Sequence, residues 1–303
     1  MELAPIAFFA YKRPAHTLAA LEALSACELA QASRLHIFCD GPKSPAEAGA
    51  VAQVREVAAR RRWCGQVEIY TQENNLGLAQ AIIQGVTSLC HEHGRVIVLE
   101  DDLVVAPHFL AYMNEALERY REAVEVMQIS GYMFPLEIEA DTDAFFLPLT
   151  TTWGWGAWQR AWQHFDARMA GYRHLQEDPE VRHRFDLQGA YPYFAMLGQL
   201  QEGKIDSWGI RWYLATFLQG GLTLYPRVSL VQNMGFDASG THCDGGSGFR
   251  TALWPGKVVR WPAPQLDEEI FRQVRRFLQK QPPASRGRLR RCLNFLKQRY
   301  FSR

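Results

Sequence analysis

The chain has 303 residues, 48% of them hydrophobic and 21% charged, with a formal net charge of +1. That supports a full core in one large domain or two smaller ones and excludes wholesale disorder. It also excludes a chain-wide nucleic-acid surface, because residues 285–303 hold seven basic residues and no acid, leaving 26 basic against 32 acidic residues elsewhere.

In chain order, residues 6–11 ("IAFFAY") form a short apolar run that stops at Lys12-Arg13-Pro14, and leucines at helical spacing follow. Residues 35–40 ("LHIFCD") predict a second strand, residues 45–62 an Ala-rich helix and residues 66–72 a third strand. Residues 76–94 predict a helix closed by Gly94, with "RVIVLE" (95–100) as the fourth strand. Strands alternating with helices over short connections imply parallel βαβ units in a sheet covered on both faces. Beyond Asp102, an amphipathic helix with proline in its first turn is expected over 107–123 and a strand near 126–132. Mixed helix is expected over 182–218, short strands at 222–226 and 228–233, and a glycine-rich loop over 235–248. A helix at 267–281 and a basic tail close the chain.

Cys27, Cys39, Cys64, Cys90, Cys243 and Cys292 are scattered without a Cys-x-x-Cys pair, which reads as reduced thiols in a cytoplasmic setting. The N-terminal "APIAFFAY" lacks the basic region and apolar length of a signal peptide. No run approaches the roughly 20 apolar residues of a membrane-spanning helix.

Ligands of open parallel sheets sit outside the carboxyl ends of the strands. Those ends here carry Lys12 and Arg13, Asp40, Asn74 and Asn75, and the triplet Glu100-Asp101-Asp102. If the chain stays extended, Glu100 and Asp102 share a face and Asp101 points away. Two carboxylates on one face suit Mn²⁺ or Mg²⁺, which complete their shells with water and substrate phosphates. Neither a P-loop nor a G-x-G-x-x-G fingerprint is present. His91 and His93 precede Gly94 and are explained by helix capping.

"APIAFFAYKRP", "FCDGP", "ENNLGLAQAI", "VIVLEDDLVVAPHFLAYMN" and "TTWGWGAW" together resemble the GT-A fold glycosyltransferases, over about residues 4–245. The likeness is to bacterial relatives of the N-acetylglucosaminyltransferase that initiates complex N-glycans, whose metal motif is E-D-D-L. The resemblance implies a Rossmann-like, mixed but mostly parallel sheet flanked by helices. Pro262 and Pro264, with the helix and basic tail after them, add a C-terminal helical appendage, so the chain divides into a transferase domain at 1–262 (a nucleotide-binding half, 1–104, and an acceptor half, 105–262) and a basic amphipathic tail at 263–303.

It further implies a metal-dependent, inverting transfer of a sugar from a nucleotide-diphospho donor, a UDP-sugar, to the hydroxyl of a glycan or glycolipid acceptor in surface-glycan or lipopolysaccharide synthesis. Asp102 becomes the Mn²⁺ (or Mg²⁺) ligand, and Glu100 and Asp101 partners of ribose and donor sugar. Asp40 holds the base with Asn75 beside it, and Arg13 lies near the diphosphate. The family's catalytic aspartates sit beside tryptophan; in "KIDSWGIRWY" that nominates Asp206 as general base, with an ordinary helix cap as its other explanation and Glu202 as a weaker candidate.

Trp153 is placed to line the sugar site, whereas Trp155, Trp158 and Trp162 are spaced to share one helical face packed on the sheet. His242, in the glycine-rich loop, is a second candidate for the metal or diphosphate. The basic, apolar tail suits contact with anionic membrane. A sugar-phosphate nucleotidyltransferase and a glycan-binding module without turnover are the alternative readings.

Overall fold

The computed structural model describes residues 2–236 and 247–281, so His242 and the tail beyond residue 281 lie outside the described residues. The elements run β1 (Ile6–Ala10), α1 (Pro14–Ser25), β2 (Arg34–Cys39), α2 (Ala48–Ala59), β3 (Gln66–Thr71), α3 (Leu78–His93), β4 (Arg95–Glu100) and β5 (Leu103–Val105). They continue with α4 (Phe109–Arg119), β6 (Val126–Ser130), β7 (Ala144–Leu147), β8 (Trp155–Trp158), α5 (Gln159–Trp162), α6 (Tyr172–Glu177) and α7 (Pro179–Phe185). The last are α8 (Tyr193–Gln201), α9 (Trp208–Leu218), β9 (Leu222–Pro226), β10 (Val231–Asn233) and α10 (Glu268–Gln279).

Among the described residues, eight strands form one sheet in the order β3-β2-β1-β4-β8-β6-β9-β7, and β5 pairs with β10 separately. The first four strands are parallel, β8 is antiparallel to both its neighbours, β6 and β9 are parallel, and β7 is antiparallel to β9. This is a mixed, mostly parallel α/β sheet flanked by helices. All of β1 is buried: Ile6, Phe8 and Ala10 enter one core layer, Ala7 and Phe9 the other. An unbroken apolar run is what a central strand covered on both faces requires. Edge strand β3 differs, with Ile69 and Tyr70 exposed, so the expected two-sided cover does not extend to it.

Three local expectations change. The helix expected from residue 45 opens with a 3₁₀ turn at Pro45–Glu47, and the one expected from Pro107 starts at Phe109. Trp155, Trp158 and Trp162 do not share a helical face. Residues Trp155–Trp158 pair with β4, Val98 opposite Trp155 and Arg95 opposite Trp158, and side chains three apart on a strand point to opposite faces. Trp155 therefore joins Trp162 in one core layer, while Trp158 enters the other. Gly154 starts this strand at φ +63, and an added Cβ would lie 2.6 Å from Val231 Cγ2. Only glycine combines that conformation with that approach.

Gly94 closes α3 as expected, its N–H returning to the Cys90 carbonyl at 2.8 Å with His91 and His93 in the last turn. The C-terminal helix α10, capped by Asp267 accepting from Ile270 N at 3.0 Å, buries Ile270, Phe271, Val274 and Leu278 in the main core. The four cysteines among the described residues are buried free thiols. No helix among those residues is long and apolar enough to cross a membrane.

Candidate functional site

β1 pairs with β2 on one side and β4 on the other, so the chain reverses its direction of winding there and opens a crevice at the carboxyl ends of β1 and β4. Tyr11 and Arg13 leave β1 at this point, and Glu100 ends β4. Residues 101–102 make a turn rather than an extension of β4, which changes the expected alternation. Asp101 does not point away. Its carboxylate accepts from Tyr11 N at 3.2 Å and from Arg13 Nη2, while Arg13 Nη1 lies 3.0 Å from Asp102 Oδ2. One guanidinium thus spans both aspartates.

The electrostatics follow from burial. Glu100 is pushed well above the usual carboxylate range by loss of solvent and then by Asp102 and Asp101, with Arg13 opposing. Asp101 is raised by burial, again against Arg13. Burial works to lower Arg13, but Asp101 and Asp102 outweigh it and hold the guanidinium more firmly charged than usual. A compact cluster of acids balanced by one arginine can accept further positive charge, and oxygen donors suit hard divalent ions.

The opposite wall comes from far along the chain. β10 runs antiparallel to β5, pairing Asn233 with Leu103, and Met234 N donates to the Asp102 carbonyl at 2.7 Å. Gly235 N donates to Asn233 Oδ1 at 2.7 Å. A Cβ on Gly235 would sit 2.5 Å from Asp102 Oδ2 and 3.3 Å from Arg13 Nη1. Only glycine lets this backbone pass so close to the Asp102 carboxylate, and the carboxylate oxygens gathered here are the donor type that hard divalent ions such as Mn²⁺ or Mg²⁺ take. No group of three or more His, Cys, Asp or Glu among the described residues forms a closed metal cage.

Asp40 lies at the end of β2, 8% exposed. Its oxygens accept from Gly41 N (2.8 Å), Leu76 N (2.8 Å), Gly77 N (3.0 Å) and Asn75 Nδ2 (2.8 Å). The carboxylate is saturated by its own protein and ties the β3–α3 turn to β2. Beside it a hollow of about 250 Å³ is lined by Phe38, Tyr70, Gln72, Leu76, Gln84 and Ser88, among others. Lys12, at the same strand end as Arg13, turns aside to Glu47, whose carboxyl falls to about 2 through Lys12 and Tyr11.

Trp153 is partly buried and meets three rings edge-on: Tyr132 at 4.5 Å, Phe236 at 5.5 Å and Phe249 at 6.2 Å between centroids. Phe236 adjoins Gly235, so Trp153 is one contact from the acid cluster. Asp206 is 68% exposed and pairs with Arg211 Nη1 at 3.3 Å. It is not the cap of α9; Ser207 is, accepting from Ile210 N at 3.5 Å. Three residues on, Gly209 lies against Thr152, next to Trp153, where an added Cβ would be 3.1 Å from Thr152 Cγ2. Glu202 is exposed and paired with Lys204. The structure thus brings Arg13, Glu100, Asp101 and Asp102 together, sets Trp153 beside them and leaves Asp206 on the Trp153 side, out of contact with the acids.

Sequence reasoning missed Tyr11, Asn233 and Phe236. The only signal was the break from "VQN" into glycine-rich chain, which does not say against which strand it folds.

Residues 44–176 match the family model described as glycosyl transferase family 2. No curated protein sequence matches the chain. Among solved structures, a crystal structure of GalNAc-T7 with UDP, GalNAc and Mn²⁺ matches with a TM-score of 0.43 at 9% identity. The match covers 74% of this chain and 43% of that one, so this chain spans less than half of that structure's length.

Proposed function

We propose, from the match of residues 44–176 to the family model described as glycosyl transferase family 2, that the chain is a metal-dependent, inverting glycosyltransferase using a UDP-sugar. The observation that supports this reading is the Arg13–Asp101–Asp102 cluster, with Glu100, at the crevice between β1 and β4, against which the Gly235 backbone closely passes.

Asp102 holds the divalent cation, which supplies charge stabilisation to the departing diphosphate. Asp101 and Glu100 face the ribose and donor sugar, and Arg13 the diphosphate. Asp40 acts by fixing the Asn75–Gly77 turn, and the hollow beside it receives the base. Trp153 lines the sugar and acceptor side. Asp206 takes the proton of the acceptor hydroxyl as the oxygen attacks the anomeric carbon and the bond to the diphosphate breaks. The apolar-basic tail and His242 add surface-glycan assembly, peripheral membrane contact and a second metal or diphosphate ligand on sequence grounds alone.

Titration with UDP-sugars, with and without Mn²⁺, tests the donor site. Donor binding should need the metal and weaken at least tenfold, as for loss of one charge-assisted contact, in Asp102→Asn. Metal-independent binding, or binding unchanged in that variant, would sink the assignment. The exposure of Asp206 and its pairing with Arg211 favour a second reading, donor binding without turnover. Asp206→Asn should keep donor binding and suppress transfer; normal turnover removes Asp206 from the role.

A further inference from the structure

Arg13 is placed to do more than neutralise its neighbours. Its backbone is fixed at the head of α1, where its carbonyl accepts from Thr17 N and Thr17 Oγ1, both at 2.9 Å. Its side chain is 19% exposed. The two aspartates it spans are held unequally. The Asp101 side chain is 5% exposed and has a second donor, Tyr11 N. The Asp102 side chain is 12% exposed, and among the described residues it pairs with Arg13 Nη1. The oxygen facing Nη1, Oδ2, also lies against Gly235, where an added Cβ would be 2.5 Å away. One end of the guanidinium is therefore anchored and the other releasable, at the atom where an incoming cation would bind.

We propose that Arg13 is an internal counter-cation that competes with the divalent metal for Asp102, pivoting on Asp101 and presenting its released Nη1 edge to the donor's diphosphate. The inference rests on the metal–diphosphate reading of Asp102. A dication entering at Oδ2 repels the guanidinium edge already there, so metal binding and the Nη1 contact oppose each other. A freed guanidinium edge is a good phosphate donor. Metal and donor then bind cooperatively, because the diphosphate accepts the group that the metal displaces. Arg13 is here a positioning residue, and it keeps the site from binding metal tightly when no donor is present.

The test measures free Mn²⁺ by its paramagnetic resonance signal during titration of the full chain, without and then with UDP, for wild type, Arg13→Met and Asp102→Asn. Without UDP, Arg13→Met should bind Mn²⁺ tighter than wild type by on the order of tenfold, and the affinity gained on adding UDP should shrink. Mn²⁺ should also raise the Tm of Arg13→Met more than that of wild type, since the metal replaces the lost positive charge. If Arg13→Met does not fold, Arg13→Lys serves: one ammonium cannot span both aspartates, so Mn²⁺ affinity without UDP should still rise. Unchanged or weaker Mn²⁺ binding in the folded variant, with Asp102→Asn losing the metal, overturns the competition alone. Mn²⁺ binding by Asp102→Asn equal to wild type overturns the underlying assignment as well.

Discussion

Asn75 Nδ2 donates to Asp40 Oδ2 at 2.8 Å, and the same carboxylate receives the backbone N–H groups of Leu76 and Gly77. A single side chain on β2 thus holds the turn that leads into α3, at the edge of the candidate donor site. Replacing Asp40 by Ala takes their shared acceptor from four donors: the buried Gly41 N and the part-buried Asn75 Nδ2, Leu76 N and Gly77 N. Each unsatisfied group costs about 1–3 kcal/mol, so the loss of stability should total about 2–5 kcal/mol after partial rehydration. Chemical denaturation measures it, and an Asn75→Ala variant, which removes one donor and orphans less, should lose clearly less. Equal losses would show that the turn is not held through Asp40.

Gly235 offers a sharper probe of the close backbone approach to Asp102. A methyl group there would meet Asp102 Oδ2 at 2.5 Å, closer than real Cβ contacts allow. Gly235→Ala should reduce Mn²⁺-dependent UDP binding by at least tenfold while also lowering the Tm, because this buried residue cannot take a methyl without moving the Asp102 carboxylate or its own backbone. Calorimetric titration alongside thermal melts separates the two effects.

His36 should give the fold an acid-side weakness. It lies on β2, 4% exposed, with Nε2 buried without a partner. Burial lowers its pKa below the ordinary value, with Glu68 opposing. Folding then favours the neutral ring, while the unfolded chain takes up the proton at pH ~6.5, the ordinary histidine value. The stabilisation is fully present above that pH and is lost as pH falls through the lower folded pKa. Thermal melts from about pH 8 to about pH 5 should show a decline that His36→Phe reduces. An identical decline in that variant would assign it to other groups.

Leu278 tests whether the C-terminal helix is structurally part of the domain or an appendage to it. It is 2% exposed in the main core, and on the same helix Phe277 packs against Phe134 and Phe249 at 5.6 and 5.7 Å. Leu278→Ala should cost about 2–5 kcal/mol and move the whole unfolding transition. A separate early transition, with the remainder unmoved, would show α10 unfolding as an independent unit.

Much of the site's first half was legible in the chain itself. Each strand of the β1–β4 half is a short apolar run closed by polar residues, and parallel βαβ connectivity sends every such end to one edge. That local grammar was enough to bring Arg13, Asp40 and Glu100–Asp102 into one crevice. Local spacing failed where pairing overrode it. Trp155, Trp158 and Trp162 have a helix-like interval, but hydrogen bonding to β4 makes Trp155–Trp158 a strand and sends two of the rings to opposite layers.

Only the tertiary structure decided which acids share Arg13, because a turn at residues 101–102 rotates Asp101 towards it. Only the tertiary structure set Gly235 over Asp102, through the β5–β10 pairing of segments more than a hundred residues apart. It also filled the acceptor sites of Asp40 from the next loop. The physical reason is range. Strand polarity and helix periodicity are written in neighbouring residues, whereas a carboxylate's partners depend on how distant backbone segments meet in space.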